Sequence, residues 1–277
     1  MVNANGVTLR SLVLHLTALE DGPLPGSLGE TAHAAFYAAI QAVDPALSAQ
    51  LHDAQSRAAF TLSPLRGYGR TVRAGEQGWL RVTLLEESLF AAFAHHLLAG
   101  PLPTLRLGRV AFVIHEVHGA PGSHPWAGFT TLADLAALDP AFDRWRLEFA
   151  SPTAIRWGEA DNGTRRVELF PRPRMAIAGL RARWDQLTGQ GWGRDFEEWV
   201  ERNVVVGAVE CWQTGAFLFQ RQRYLGGLGR LEYHLLDPSD AARAAHLNRL
   251  LHFAFYTGIG YKTTHGLGQV RVLEAGG

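Results

Sequence analysis

Gly258-Ile259-Gly260-Tyr261-Lys262-Thr263-Thr264-His265-Gly266-Leu267-Gly268 follows a long apolar helical stretch and runs straight into a strand-like segment, Gln269–Leu273. Two G-x-G pairs bracket five residues, and one of the five is Lys262, the only lysine in a chain that otherwise carries 25 arginines. Glycine admits φ > 0 and close approach of another backbone. A loop rich in N–H groups with one flexible ammonium suits a phosphate chain; a plain helix-to-strand turn would read the same way. Two phosphate motifs are excluded. A P-loop needs Gly directly before Lys, and here Tyr261 precedes Lys262. A dinucleotide fingerprint needs a strand before it, a helix after it and an acidic residue about 20 positions on. Here the order is reversed.

Composition narrows the class. The 277 residues are 47% hydrophobic, enough for one large or two ordinary cores. The single cysteine, Cys211, excludes an internal disulfide framework and a Cys-based zinc site. The first twenty residues hold only Arg10 as a cation, and His15 and Thr17 interrupt their apolar run, which reads as a strand and not a signal peptide. No apolar run reaches the ~18 residues of a membrane span, so a soluble cytoplasmic protein is expected. The net charge of zero conceals an asymmetry: residues 144–183 hold 9 Arg against 4 acids. An anionic partner on the C-terminal half is compatible with this, without being required by it.

Working back from the loop, a pattern appears twice. A strand is expected over Val7–Leu19, with Leu9, Leu12, Leu14 and Leu16 alternating. Ser27-x-x-Glu30 reads as a capping box opening a helix with Leu28, Ala32, Phe36, Ala39, Ile40 and Val43 on one face. Asp44-Pro45 reads as N-cap and N1 of a second helix, 45–53. Strands over Phe60–Arg70 and Gly78–Leu85, a helix over Glu87–Leu98 and a strand over Leu105–Val117 complete βαββαβ. Residues 119–143, with Gly119, Pro121, Gly122 and Pro125, read as a linker holding a short helix at 132–138. The second unit, 144–277, repeats the order: a strand at Trp145–Ala150, a basic hairpin with an I′ turn at Asn162-Gly163, helices Arg174–Gln186 and Arg194–Glu201, strands Val204–Trp212 and within Ala216–Leu235, a helix Ser239–Tyr256 and the last strand. The expected fold class is α+β, two tandem ferredoxin-like domains (1–118 and 144–277).

Tandem ferredoxin-like units ending in Gly-x-Gly-(five residues)-Gly-x-Gly resemble the RAMP superfamily of CRISPR systems. Within it the chain is similar to the endoribonucleases that cut CRISPR precursor RNA inside each repeat. The stretches carrying this are Phe253–Gly268; Phe36-Tyr37, Asp44-Pro45 and Leu51-His52-Asp53 followed by Phe60–Ser63; His124–Gly128; and Phe149–Thr153. The resemblance implies cleavage without metal or other cofactor. A ribose 2′-OH attacks the adjacent phosphate, leaving a 2′,3′-cyclic phosphate and a 5′-OH. It implies CRISPR repeat RNA as partner and no membrane, with a homodimer or a CRISPR effector complex as further assemblies. A non-cleaving RNA-binding subunit of such a complex is the alternative; a small-molecule enzyme on the same scaffold is more distant.

That chemistry needs a base, an acid and positive or N–H groups for the phosphorane. The family pattern points to His52. Tyr37 lies seven residues before Asp44 and His52 eight after it, so helices folding back there would place both ~11 Å from the turn. Arg57 stands near a cation position of some members. His33, four residues before Tyr37 on the same helical stripe, is the runner-up. For RNA binding the candidates are Lys262, the N–H groups around Gly258, Gly260, Gly266 and Gly268, His265, Arg156, Arg165 and Arg166 on the basic hairpin, and Arg172 and Arg174 before a helix N-terminus. His115-x-x-His118 with His124 invites a metal reading. Residues three apart on a regular strand point to opposite faces, so no metal site is expected there.

Overall fold

The computed structural model describes residues 6–26, 28–53, 59–99, 103–138, 142–189 and 191–276. The first unit comprises β1 (Thr8–Ala18), β2 (Gly22–Pro23), α1 (Leu28–Val43), α2 (Pro45–Asp53), β3 (Phe60–Leu62), β4 (Thr71–Val72), β5 (Gln77–Leu84), α3 (Glu87–Leu98), β6 (Thr104–Leu107), β7 (Val110–His118), β8 (Gly128–Thr131) and α4 (Leu132–Ala136). The second comprises β9 (Arg144–Thr153), β10 (Ile155–Glu159), β11 (Arg165–Glu168), α5 (Pro173–Thr188), α6 (Gly193–Asn203), β12 (Val204–Phe219), β13 (Gln222–Leu235), α7 (Ala241–Thr257) and β14 (Val270–Gly276). The first sheet runs β3-β5-β1-β7-β6 and the second β12-β13-β9-β14. β1 lies between β5 and β7, and β9 between β13 and β14, the antiparallel ferredoxin-like order. Among the described residues no helix is long and apolar enough to cross a membrane.

Period-2 alternation decides which face of β1 is covered. Leu12, Leu14 and Leu16 pack with Ala32, Phe36, Ala39 and Ile40 of α1 and Leu89 and Phe93 of α3. The odd-numbered residues Ser11, Val13 and His15 point the other way. There the first sheet meets the second unit through Arg81, a fully buried arginine. Its Nε donates to Ser11 Oγ (2.7 Å) and the Trp126 carbonyl (3.1 Å), and its terminal nitrogens donate to Gln269 Oε1 and the Phe255 carbonyl (2.6 Å each). Burial lowers its pKa to about 9. Thr83 donates to the Tyr256 carbonyl and Gln269 to the Leu62 carbonyl, so the last turn of α7 and the start of β14 are fastened to the first sheet.

Several local expectations change. Phe60–Arg70 is not one strand: β3 ends at Leu62 before Pro64, which has no N–H for a ladder, and only Arg66 bridges back to Trp79. Leu105–Val117 is a hairpin, β6–β7, because Gly108 takes φ 68°. Part of segment 119–143 joins the first sheet: β8 pairs with Thr8–Ser11 of β1. The basic hairpin does not turn through I′. Gly163 has φ 78° and its N–H donates to the Ala160 carbonyl, whereas Asn162 is not left-handed; I′ needs φ > 0 at both positions. Another concerns His115 and His118. His15 pairs with Glu116 and Leu16 with Ile114, so His115 is the extra residue of a β-bulge. The bulge resets the alternation, and both His115 and His118 lie beside His15, with ring centroids 6.0 and 5.0 Å away.

β12 and β13 form one long hairpin, 16 and 14 residues, where a break after Trp212 was expected. Its tip, Gln220-Arg221, has positive φ at both residues without a glycine. The Gln220 N–H donates to Glu30 Oε2 at 3.0 Å, carrying the tip onto the first turn of α1. Ser27, the other half of the expected capping box, lies outside the described residues.

Candidate functional site

Asp44 does cap α2: its Oδ1 accepts the Leu47 N–H at 2.9 Å. The chain therefore folds back as the sequence implies, and the Tyr37 hydroxyl donates to the Leu51 carbonyl at 3.3 Å, one residue before His52. His52 lies in α2, with its side chain outside the described residues; Arg57 lies wholly outside them. Burial raises the Tyr37 pKa.

The Gly-rich loop arrives at the same place. His265, in the 3-10 turn Thr263–His265, stacks on His33 with centroids 4.1 Å apart and planes at 14°. His33 lies 4.6 Å from the Tyr37 ring. A Cβ on Gly29 would sit 1.9 Å from the His265 carbonyl oxygen, so α1 and the loop touch at backbone distance. Burial first, then His33 and Lys262, lowers the His265 pKa to about 3, which keeps this imidazole neutral. The loop thus packs directly against α1, beside Tyr37.

The four loop glycines have φ of 67°, 94°, 90° and 68° at Gly258, Gly260, Gly266 and Gly268. What approaches them is protein. A Cβ would lie 2.4 Å from the Ala154 carbonyl oxygen at Gly260 and 2.1 Å from that of Ile259 at Gly268. The N–H groups of Gly258, Ile259, Tyr261, His265, Leu267 and Gly268 donate to carbonyls of the chain itself. Their cost of burial is offset internally, which narrows the N–H groups left to receive phosphate. Lys262 is held in the left-handed region at φ 58° and its ammonium lies over the Phe219 ring of the β12–β13 tip. Burial and Arg156 lower its pKa to about 8, against the opposing pull of Glu30.

Beside the loop runs a groove of about 320 Å³ between β10, α5 and Gly258–Tyr261. Arg156 lies 4.6 Å over the Tyr261 ring and Arg174 5.6 Å over Trp157. Arg172 occupies the N-cap of α5. Arg165 and Arg166 are on exposed β11, Arg165 3.9 Å from Glu159. Arg183 was not singled out from the sequence, although it closes the basic run; its guanidinium donates to the Thr257 carbonyl and to Thr263 Oγ1 (3.1 Å), bracing the loop from α5. The hairpin tip at Glu30 and Lys262 also escaped the sequence reading. Its one local trace is Gly29, a glycine inside a helix where alanine is favoured.

Comparison with known proteins identifies the family. The family model described as the CRISPR Cas6 N-terminal domain matches residues 9–137, and that of the CRISPR-associated endoribonuclease Cas6 matches residues 147–270. Among curated protein sequences none matches the chain. Among solved structures, a product complex of Thermus thermophilus Cas6 (TTHB231) is 28% identical with a TM-score of 0.81, covering 96% of this chain and 99% of that one. A product complex of a second Thermus Cas6 (TTHA0078) is 30% identical with a TM-score of 0.75, covering 96% and 100%. A substrate-mimic complex of the same protein is 28% identical with a TM-score of 0.69, covering 96% and 99%. With two Cas6 domains matched in order, and a relative at 30% identity spanning the whole fold, this chain belongs to the Cas6 family of CRISPR-associated endoribonucleases.

Proposed function

We propose that the chain cleaves CRISPR precursor RNA within its repeats, using the scissile ribose 2′-OH as nucleophile and no metal ion in the reaction. The observation that carries this is the meeting of α1, α2 and the Gly-rich loop, which gathers Tyr37, His33, His265 and the helix bearing His52 around one spot. His52 is assigned the proton transfers, as base for the 2′-OH or acid for the departing 5′-oxygen. Tyr37, whose raised pKa keeps it a donor at neutral pH, orients α2 and the phosphate. Neutral His265 stacks on His33 and fixes its ring. The cations of the groove, Arg156 and Arg174 foremost, hold the repeat backbone, with Lys262 adding charge beside the site. The products would be a 2′,3′-cyclic phosphate and a 5′-OH.

The related structures support RNA processing: two are titled product complexes and one a substrate-mimic complex. The test is incubation with end-labelled repeat RNA from the chain's own genome in EDTA. Undiminished single cleavage with cyclic phosphate ends is expected. Loss of activity restored by a divalent ion refutes the mechanism, and binding without cleavage makes the chain a guide-RNA-holding subunit.

A further inference from the structure

Away from this site, on the face of the first sheet opposite α1 and α3, lies a group of side chains that RNA cleavage does not use. His15 on β1 faces Glu116 and His118 on β7, and one ligand atom from each lies within 4.8 Å of the others. The bulge at His115 creates this arrangement by turning Glu116 and His118 toward His15. His118 Nε2 already stands 3.3 Å from Glu116 Oε1. Two ligands held ~2.0–2.1 Å from a tetrahedral zinc are about 3.3 Å apart. Among the described residues His15 Nε2 is buried with no hydrogen-bond partner, a cost that a ligand would remove. We propose that His15, Glu116 and His118 form a site for one zinc-like divalent transition ion, with the fourth position open to water.

The neighbours define the set. His124 Nδ1 accepts the Trp126 N–H at 3.1 Å. That bond places the His124 proton on Nε2, so His124 lines the site without ligating. His115, the bulge residue itself, is tied through Nδ1 to Thr17 Oγ1 at 3.0 Å. Two borderline imidazole nitrogens beside one hard carboxylate oxygen favour zinc over calcium or magnesium, which prefer all-oxygen shells. The ion would join β1 to β7 where the bulge interrupts their ladder. It would lie across the sheet from α1 and α2, so it takes no part in the proposed cleavage.

The experiment uses tag-free, full-length protein stripped with EDTA, dialysed and titrated with Co²⁺ alone. About one equivalent should bind with the ligand-field absorption of tetrahedral cobalt, be displaced by Zn²⁺, and raise Tm. Since even outer-shell changes at metal sites cost ~10–100-fold in affinity, His118→Gln and His15→Gln should each weaken binding at least that far. His118, at the end of its strand, is the substitution that spares the fold, as circular dichroism would verify. Featureless cobalt spectra, or an affinity that His118→Gln leaves unchanged, overturn the proposal. So does a His118→Gln protein whose metal binding is intact and whose RNA affinity falls, since the histidines would then contact RNA.

Discussion

The α1–α2 pair and the Gly-rich loop meet at one spot, and they are built in opposite ways. The helices bring side chains: His33 and Tyr37 share one stripe, and the Asp44 cap folds α2 back so that the Leu51 carbonyl meets the Tyr37 hydroxyl. The loop brings backbone. Its glycines lie against Ala154, Ile259 and Pro64, and much of its hydrogen-bonding capacity is used within the protein. In the proposed mechanism the first region moves protons, and the second holds shape and charge next to them. The difference teaches that a glycine-rich loop can be demanded by protein-to-protein approach alone. Each of the following experiments acts on one side of that division.

The largest effect is expected from His52→Ala. Single-turnover cleavage of repeat RNA should slow by roughly 10²–10⁴-fold, the usual worth of a general acid or base, with little change in Kd. Normal cleavage by His52→Ala, together with inactivity of His33→Ala, would move the chemistry wholly onto α1.

Next come Gly260→Val and Gly268→Val. Each combines a left-handed backbone with a Cβ pressed on a carbonyl oxygen. Backbone strain of this kind costs ~1–3 kcal/mol before the clash is counted. Tm should fall clearly, and repeat binding with it. A Gly268→Val protein with unchanged Tm but weakened RNA binding would show that the glycines serve the ligand.

Lys262→Ala should act more gently, weakening repeat binding at every sequence tested and lowering the log–log salt slope by ~0.7–0.9, one phosphate contact. Because the ammonium titrates at about 8, the wild-type Kd should rise between pH 7 and 9, and Lys262→Arg should flatten that rise. Unchanged Kd and slope with a reduced saturated rate would place Lys262 in the chemistry.

The smallest effect is on the pH dependence of stability. His265, and His246 buried among Trp184, Trp192 and Phe196, both have pKa values lowered to about 3, mainly by burial. Their unfolded values are near 6.5, so between pH 6.5 and 3 the unfolded chain binds more protons. Stability is therefore full above pH 6.5 and declines as pH falls toward 3. His246→Phe should shallow the decline in Tm; an unaltered profile would mean that His246 is not neutral in the fold.

What the sequence disclosed followed from local rules. Alternating leucines gave β1, Asp44-Pro45 gave the helix pair, and the spacing around Asp44 brought Tyr37 toward Leu51-His52. What it hid was non-local. The His115 bulge is defined only against β1, and strand parity failed there. The β12–β13 tip reaches Glu30 across 190 positions, a contact that no window on the chain contains. The loop glycines looked ligand-facing because Ala154 and Pro64 are distant in sequence. Arg81 looks like any strand arginine until Gln269 and the Phe255 carbonyl of the second unit join Ser11 and the Trp126 carbonyl around it.

The central claim is tested most directly by a single 2′-deoxy substitution at the ribose just 5′ of the cut. Kd and single-turnover cleavage are measured on that RNA in EDTA. The account predicts nearly unchanged binding and no cleavage. Cleavage of the deoxy substrate, or products carrying a 5′-phosphate, would make water the nucleophile and contradict it.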